Sequence, residues 1–328
     1  MRSGPPALQS VATMLSYIAR RLLALVPILL GLSLIVFLIM ALIPGDPALA
    51  ILGSYATPES LTSLRAQMGL DRPLPMQYLI WIDNILHGDF GRSYSLNRPV
   101  LDEVVERFRA TLILSTAAFA LCSIWGVLAG VVCAVRQNSW VDRVVTLLVL
   151  IGISIPSFWL GLLLILLFAV RLHWLPASGM FAIYGGGDLL DLARHLVLPA
   201  TTLSVVATGV IARLTRASML EVLRQDYIRT ARAKGVAEGS VIFRHAFKAA
   251  LVNITPVLGV QAGFVLGGAV YVETIFQWPG IGRMLVTAIS TRDILLVQGG
   301  VLVVAASYVL FNLVADVVQH LLDPRVRT

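Results

Sequence analysis

Charged residues are missing from six long stretches of this 328-residue chain, and this pattern constrains the fold more than any other feature. A helix that crosses the hydrocarbon core of a bilayer needs about 20 mostly apolar residues. Lipid offers the backbone no hydrogen-bond partners, so each run is predicted to be a helix despite the prolines in four of them. The runs are Leu22–Ile43, Thr111–Val135, Val144–Val170, Leu196–Ala212, Ala249–Val272 and Ile294–Ala315.

Composition supports a membrane protein. Only 13% of the residues are charged, about half the share of a soluble domain, so the chain cannot cover a water-facing surface. Two cysteines exclude a disulfide scaffold. Cys122 and Cys133 lie too far apart along one predicted helix, by about 16 Å of rise, to share a disulfide or a metal, and we interpret both as small apolar residues.

The first run has one alternative interpretation. Arg20 and Arg21, the apolar stretch and Ala48-Leu49-Ala50 together resemble a secretory signal with its cleavage site. The apolar region of a signal peptide has about 7–15 residues, which is shorter than this run. We therefore favour a helix that is retained in the membrane.

The basic residues predict the orientation. Six spans place both termini on one side, and 15 of the 25 Lys and Arg residues flank the spans on that side. Because short loops rich in basic residues stay inside, both termini are predicted to be cytoplasmic. The excess of basic residues then reflects topology, and nucleic-acid binding is not expected.

The outside segment 44–110 contains three short amphipathic patterns. Such stripes are typical of helices that lie on a membrane surface, and packing against the chain's own helix ends is an equal alternative. The predicted helices run from Thr57–Pro58 to a stop at Gly69, from Pro75 to His87 with a stop at Gly88, and from Pro99 to Arg109 into the second span.

The inside segment 213–248 carries eight basic and three acidic residues. Its first half is predicted to be a helix with Leu220, Leu223, Tyr227 and Ala231 on one face. Gly235 breaks that helix, and a second short helix is predicted from about Glu238 to Lys248. A basic loop that rests on anionic lipid is one alternative. The acidic residues and the glycine break favour a protein partner.

Several kinds of chemistry have no motif here. Neither lysine follows a glycine, so the chain has no P-loop and is not expected to hydrolyse ATP. The five histidines are scattered, and no catalytic or metal motif is present. Because the six runs hold no Asp, Glu, Lys or Arg, they offer no evident ion relay, which favours a passive path with an external energy source.

Two groups of glycines in the predicted spans indicate close packing between helices. Gly259, Gly263 and Gly267 recur at every fourth residue of the fifth run, where Asn253 and Gln261 are the polar residues. Such a ridge lets another helix approach closely, either within the chain or at an interface or pore. The pair Gly126 and Gly130 in the second run is a single and weaker match.

Several motifs together resemble the permeases of bacterial ABC importers, in the dipeptide, oligopeptide and nickel branch, and there the first of the two permease subunits. The likeness runs from about Met14 to the end, and residues 1–13 have no counterpart, so that Met14 is a candidate start. The general permease pattern is Glu-Ala-Ala, three residues, Gly, and after nine more residues Ile-x-Leu-Pro. Only Ala231 matches the first triplet, and His245, Phe247 and Lys248 stand where Ile, Leu and Pro are usual. The motifs are Ile43–Pro47, Gly69–Pro73, Gly88–Gly91, Ser154–Trp159, Asp226–Gly235, Glu273–Gly282 and Asp323–Arg325.

The resemblance implies an all-α polytopic membrane protein of the type I ABC importer permease fold. It implies a cytoplasmic N-terminus (1–21), a first span (22–43), a periplasmic segment (44–110), a permease core (111–318) and a cytoplasmic C-terminus (319–328). The segment 213–248 resembles the loop that couples a permease to its ATPase. Its implied coupling residues are Leu223, Asp226, Tyr227, Arg229, Thr230, Ala231, Ala233, Lys234, Gly235 and His245.

The same resemblance implies a transport function and its partners. The chain would pair with a second permease subunit, two ATP-binding subunits and a periplasmic solute-binding protein, and move peptides across the bacterial inner membrane. ATP and Mg²⁺ would bind the ATPase subunits, and this chain would hold no cofactor. Nickel, glutathione and oligosaccharide importers share these motifs. A self-sufficient channel or secondary carrier, and a membrane anchor or enzyme, are alternatives from other classes.

Overall fold

A computed structural model describes residues 6–42 and 46–322, which form helices and connections without a β-strand. The predicted all-α class is confirmed for this part of the chain. Residues 1–5 and the motif residues 43–45 and 323–325 lie outside it. The helices are α1 (Pro6–Leu42), α2 (Pro47–Leu52), α3 (Pro58–Gln67), α4 (Leu74–Leu86), α5 (Val100–Val135), α6 (Trp140–Ser154), α7 (Ser157–Leu164), α8 (Leu189–Leu223), α9 (Asp226–Ala233), α10 (Glu238–Ser240), α11 (Lys248–Ile275), α12 (Ile281–Ser290) and α13 (Ile294–Leu322).

Four described helices are long and apolar enough to cross a membrane. They are α5, α8, the continuous helix 238–275 and residues 294–314 of α13. A fifth crossing requires α6 and α7 to act as one bent unit. The first predicted run lies in α1, where Val26–Leu42 is a shorter apolar helix.

The third run, Val144–Val170, is not the single helix that the sequence predicted. The structure divides it into α6 and a second helix, Ser157–Arg171, with a bend of 105° between them. The break falls at Ile155 and Pro156, which have extended ψ angles of 128° and 128°. Proline disfavours a helical conformation in the residue before it and lacks the N–H that would continue the ladder. The prediction gave these effects too little weight.

The Cα positions separate into two compact units, which are described separately. The second unit is built on residues 11–42, 46–110 and 280–309. In it, Thr57 caps α3 in a capping box with Ser60, and Gly69 has a φ of 66° after the helix ends. The predicted α3 and α4 are therefore confirmed. The short helix α2, which Asp46 caps, was not predicted from the sequence. The third pattern continues into the second span as predicted, since α5 is one helix from Val100 to Val135.

The first unit is built on residues 111–279. Within it α8 packs against α6, α7 and α11. It also meets α5 at Gly126 and Gly130: a Cβ placed on Gly130 would lie 2.6 Å from the carbonyl oxygen of Ala212. Only glycine permits backbones to approach this closely. The pair that was a weak match in the sequence is thus a close helix contact.

Candidate functional site

The connection that follows α8 is the strongest candidate site. The predicted helix through Leu220 and Ala231 is wrong, since α8 ends at Leu223 and α9 begins at Asp226. Gln225 between them is extended, with a ψ of 149°. Because of this break, α9 runs in a different direction from α8. Residues counted at helical spacing across the break therefore do not lie on one face.

The underside of α9 is part of the chain's own core. Ile228 is fully buried and Ala231 is 9% exposed. They pack in a cluster of apolar side chains from α5, α8, α9 and the helix 238–275, including Met219, Val241 and Ala246. Burying an isoleucine side chain stabilises a protein by about 1.5–3 kcal/mol, so this contact fixes α9 on the helices that carry it. Ile228 was not among the predicted residues, because the face was counted through the break.

The outer side of α9 carries most of the predicted coupling residues. Tyr227 is 47% exposed, and a predicted apolar face of Leu223, Tyr227 and Ala231 therefore does not exist. Ala231 points into the core and Leu223 is half-buried against it. Thr230 donates a hydrogen bond from its hydroxyl to the carbonyl of Asp226, at 3.0 Å, within the helix. The exposed residues are Asp226, Tyr227, Arg229, Thr230, Ala233, Lys234 and Gly235.

Gly235 ends α9, as the sequence predicted. Its φ is 76°, a left-handed value that glycine adopts without a steric cost. The N–H of Gly235 donates to Arg232 O at 2.9 Å, and the N–H of Val236 donates to Ala231 O at 3.3 Å. This pair of bonds is the Schellman motif, which satisfies the last carbonyls of a helix.

An ion pair closes the turn at Gly235. Arg232 Nη2 lies 2.6 Å from Glu238 Oε1, and Arg232 Nε lies 3.1 Å from the other carboxylate oxygen. The hydrogen bond to Glu238 raises the pKa of Arg232. Both side chains are about half exposed, so this pair orients the turn more than it stabilises the fold.

The predicted short helix from Glu238 to Lys248 is not separate. It is the start of the continuous helix 238–275, and residues Val241–Phe247 have π-helical hydrogen bonding. His245 is half-buried there, with Nδ1 3.1 Å from the carbonyl of Ser240. The candidate site is thus joined directly to two long apolar helices, α8 at one end and 238–275 at the other.

An ion pair that was not predicted from the sequence joins α6 to α8, the helix that leads into α9. Asp142, at the start of α6, is 4% exposed and accepts two hydrogen bonds from Arg216 of α8, at 2.8 and 2.7 Å. It also accepts from the N–H of Asn138 at 3.0 Å. The sequence contains one indication of this pair, because Asp142 is the single acidic residue in the short connection 136–143.

The five residues singled out on the fifth run do not share one face. Gly263 and Gln261 are buried, Gly259 is half-buried, and Gly267 and Asn253 are exposed. A Cβ placed on Gly267 would meet no atom within 4 Å. The predicted ridge is therefore not a packing surface within this chain, at least at Gly267.

These apolar helices define a multi-pass membrane protein, and comparison with known proteins gives its family. Residues 126–328 match the family described as the binding-protein-dependent transport system inner membrane component, and residues 14–115 match the corresponding N-terminal family. The chain belongs to this family of transport components, which are not enzymes. It is a permease subunit of an ABC importer and works with other transporter subunits.

Individual relatives cover almost the whole chain. The dipeptide transport system permease protein DppB of Alkalihalophilus pseudofirmus is 42% identical, over 96% of this chain and 100% of its own. The glutathione transport system permease protein GsiC of Escherichia coli K12 is also 42% identical, over 96% and 99%. The MetNI methionine ABC transporter, solved in inward-facing conformations, has a TM-score of 0.57 at 17% identity, covering 67% of this chain and 96% of that chain. The last comparison supports the fold.

Proposed function

We propose that this chain and a second, paralogous permease subunit form the path by which di- or oligopeptides cross the bacterial inner membrane. Two separate ATP-binding subunits, which hold ATP and Mg²⁺, supply the energy, and a periplasmic solute-binding protein delivers the substrate. This chain itself holds no cofactor. Relatives named for dipeptide and for di/tripeptide transport, at 42% and 43% identity, support peptides as the substrate. The relative named for glutathione supports that tripeptide as the alternative, and nickel and oligosaccharides are further ones.

The proposed topology has six crossings with both termini in the cytoplasm. It treats α1 as the first crossing and the bent pair α6 and α7 as the third. The distribution of basic residues supports it, since 15 of 25 lie on the proposed inner side. The segment 44–110 is then periplasmic, residues 111–318 form the core, and residues 1–21 and 319–328 are cytoplasmic.

One observation carries the coupling proposal: α9 has a buried underside and an exposed, basic outer side. Ile228 anchors it in the core, while Tyr227, Arg229 and Lys234 face outward. An ATPase subunit that binds this outer side can move α8 and the helix 238–275 together, because both helices pack in the apolar cluster that contains Ile228. Closure of the ATPase pair would then rock the spans between inward-open and outward-open states.

The test uses the assembled transporter in liposomes. Gly235→Asp is expected to leave the complex assembled and ATP hydrolysis present, but to lower ATP-driven dipeptide uptake at least tenfold. The matched control is Gly185, which has a similar left-handed conformation with a φ of 70°. A Cβ placed on either glycine would meet no atom within 4 Å. Gly185→Asp should transport normally. Normal uptake by Gly235→Asp, at a wild-type level of assembled complex, would contradict the coupling assignment.

Reconstitution also separates this proposal from a self-sufficient channel or secondary carrier. The chain alone in liposomes should give no peptide flux, with or without an ion gradient. Flux without the ATP-binding subunits would favour the carrier. Absence of any co-purifying ATP-binding subunit would favour a membrane anchor.

A further inference from the structure

The second unit contains a cavity of about 690 Å³ between α1, α3, α4 and the turn that joins α12 to α13. Small-molecule sites in proteins usually occupy about 300–1,000 Å³, so the space suits a small ligand. Its apolar wall includes Phe37, Met40, Leu70 and Leu74. In the proposed topology the segment 46–99 is periplasmic, so this cavity opens on the side from which substrate arrives.

Four charged side chains line the cavity, and two of them neutralise each other. Arg65 Nε donates to Asp46 Oδ2 at 2.9 Å. Burial alone would raise the pKa of Asp46, but the hydrogen bonds from Arg65 and from the N–H of Ala48 outweigh it and hold the pKa below its ordinary value. Asp46 is therefore charged at neutral pH and paired.

The other two charges remain available to a ligand. Asp71 and Arg292 are exposed and line the same cavity, and within the described residues neither side chain has an ion-pair partner. The turn that carries Arg292 is held in place by its neighbour. Asp293 is 2% exposed and accepts hydrogen bonds from Ser93 Oγ, Ser95 Oγ and the N–H of Ser95. The guanidinium therefore extends from a fixed support.

A buried amide adds a third polar group. Gln298 is 3% exposed and lines the cavity, and within the described part of the chain its side-chain amide has no hydrogen-bond partner. No polar atom of this side chain is both sealed from solvent and unpartnered, so water bonds to the amide when the cavity is empty and a ligand can replace that water. An amide can donate and accept at once, as a peptide bond requires.

We propose that this cavity binds a short peptide in its zwitterionic form. Arg292 pairs with the terminal carboxylate, Asp71 with the terminal ammonium, Gln298 with a peptide group, and the wall of Phe37, Leu70 and Leu74 with an apolar side chain. The cavity then selects peptides with two free termini. This inference rests on the proposed function, because only a peptide importer meets such ligands.

The experiment measures binding to the assembled complex in nanodiscs without the solute-binding protein, by titration calorimetry. Each variant is matched to a ligand that lacks its partner group: Ala-Phe, N-acetyl-Ala-Phe and Ala-Phe amide. Arg292→Gln should weaken Ala-Phe about tenfold, the loss of one charge-assisted hydrogen bond, but leave the amide unchanged. Asp71→Asn should weaken Ala-Phe similarly and leave the acetylated peptide unchanged. A variant that merely disturbed the fold would weaken all ligands alike.

Two control variants and a test for bound lipid complete the experiment. Arg109→Gln and Asp102→Asn remove exposed charges of the same unit that do not line the cavity, and should bind like the wild type. Equal affinity of all variants for all three ligands would overturn the proposal. A lipid ligand would also overturn it. In that case phosphatidylethanolamine would co-purify with the wild type, be lost in Arg292→Gln and compete with Ala-Phe, because the bound zwitterion would be a lipid headgroup. Dipeptide uptake driven by ATP, measured on the same complexes, shows whether the proposed function itself stands.

Discussion

The helices α5 and α11 carry glycines at the same spacing, but the glycines differ in what surrounds them. At the first, a Cβ on Gly126 would lie 2.8 Å from Ile211 Cβ, and one on Gly130 would lie 2.5 Å from Thr215 Cβ. At the second, a Cβ on Gly267 would meet nothing within 4 Å. Gly126 and Gly130 are required by this chain's own packing, whereas Gly267 leaves a surface open.

The rest of the two surfaces differs in the same way. Around Gly126 and Gly130 the interface is closed, with Ile211 and Thr215 fully buried. On α11 the residues beside Gly267 at helical spacing are Val260, Phe264 and Tyr271, which are 66%, 58% and 70% exposed. Such an exposed apolar face can contact lipid, a second subunit or the substrate path. The difference yields four predictions.

The largest effect is expected at the closed contact. Gly130→Leu must push α5 away from the backbone of Ala212, and overpacking of this kind costs about 3 kcal/mol. Thermal unfolding of the purified chain in detergent should show a clearly lower midpoint. Gly267→Leu is the matched control and should change the midpoint little. Equal losses in the two variants would contradict the distinction between the surfaces.

The next effect concerns the ion pair that joins α6 to α8. Asp142→Ala leaves the guanidinium of Arg216 without its carboxylate in a region where Asp142 is almost fully buried. Breaking a buried pair costs about 3–5 kcal/mol, and since Arg216 is 31% exposed we expect about 2 kcal/mol. Asp226→Ala, at a side chain that is 97% exposed, is the control and should unfold like the wild type. An unchanged midpoint in Asp142→Ala would show that the pair contributes nothing.

Particular residues show how far the sequence could predict this molecule. The stop at Gly235, the cap at Thr57 and four of the six predicted apolar spans follow from local rules, and these predictions are confirmed. The bend at Pro156 also has a local cause, but its 105° angle depends on packing. Ile228 and the Asp142–Arg216 pair could not be predicted, because they depend on which way α9 turns after α8 and on which helices meet in space.

A small and opposite effect is expected at Gly267. In an isolated chain Gly267→Ala should raise stability slightly, because alanine favours a helix over glycine by up to about 1 kcal/mol and the added methyl meets no atom. If the second permease subunit packs here, the same methyl should weaken assembly of the pair. Unfolding of the single chain and the yield of co-purified partner together measure both effects. A more stable chain with a normal yield would place the partner elsewhere.

The smallest effect on folding is expected at Tyr271, where the comparison becomes a question of function. Its ring is 70% exposed, so Tyr271→Ala removes few contacts within the chain and should leave the unfolding midpoint unchanged. If the open face of α11 borders the path, ATP-driven peptide uptake should still fall, and Tyr271→Phe separates the role of the hydroxyl from that of the ring. Tyr184→Ala, at a tyrosine of the same unit that is 92% exposed and lies in the connection before α8, controls for loss of a surface ring. Since this exposed face can contact lipid or a partner subunit as well as a path, normal uptake in Tyr271→Ala would show that the ring of Tyr271 does not border the path.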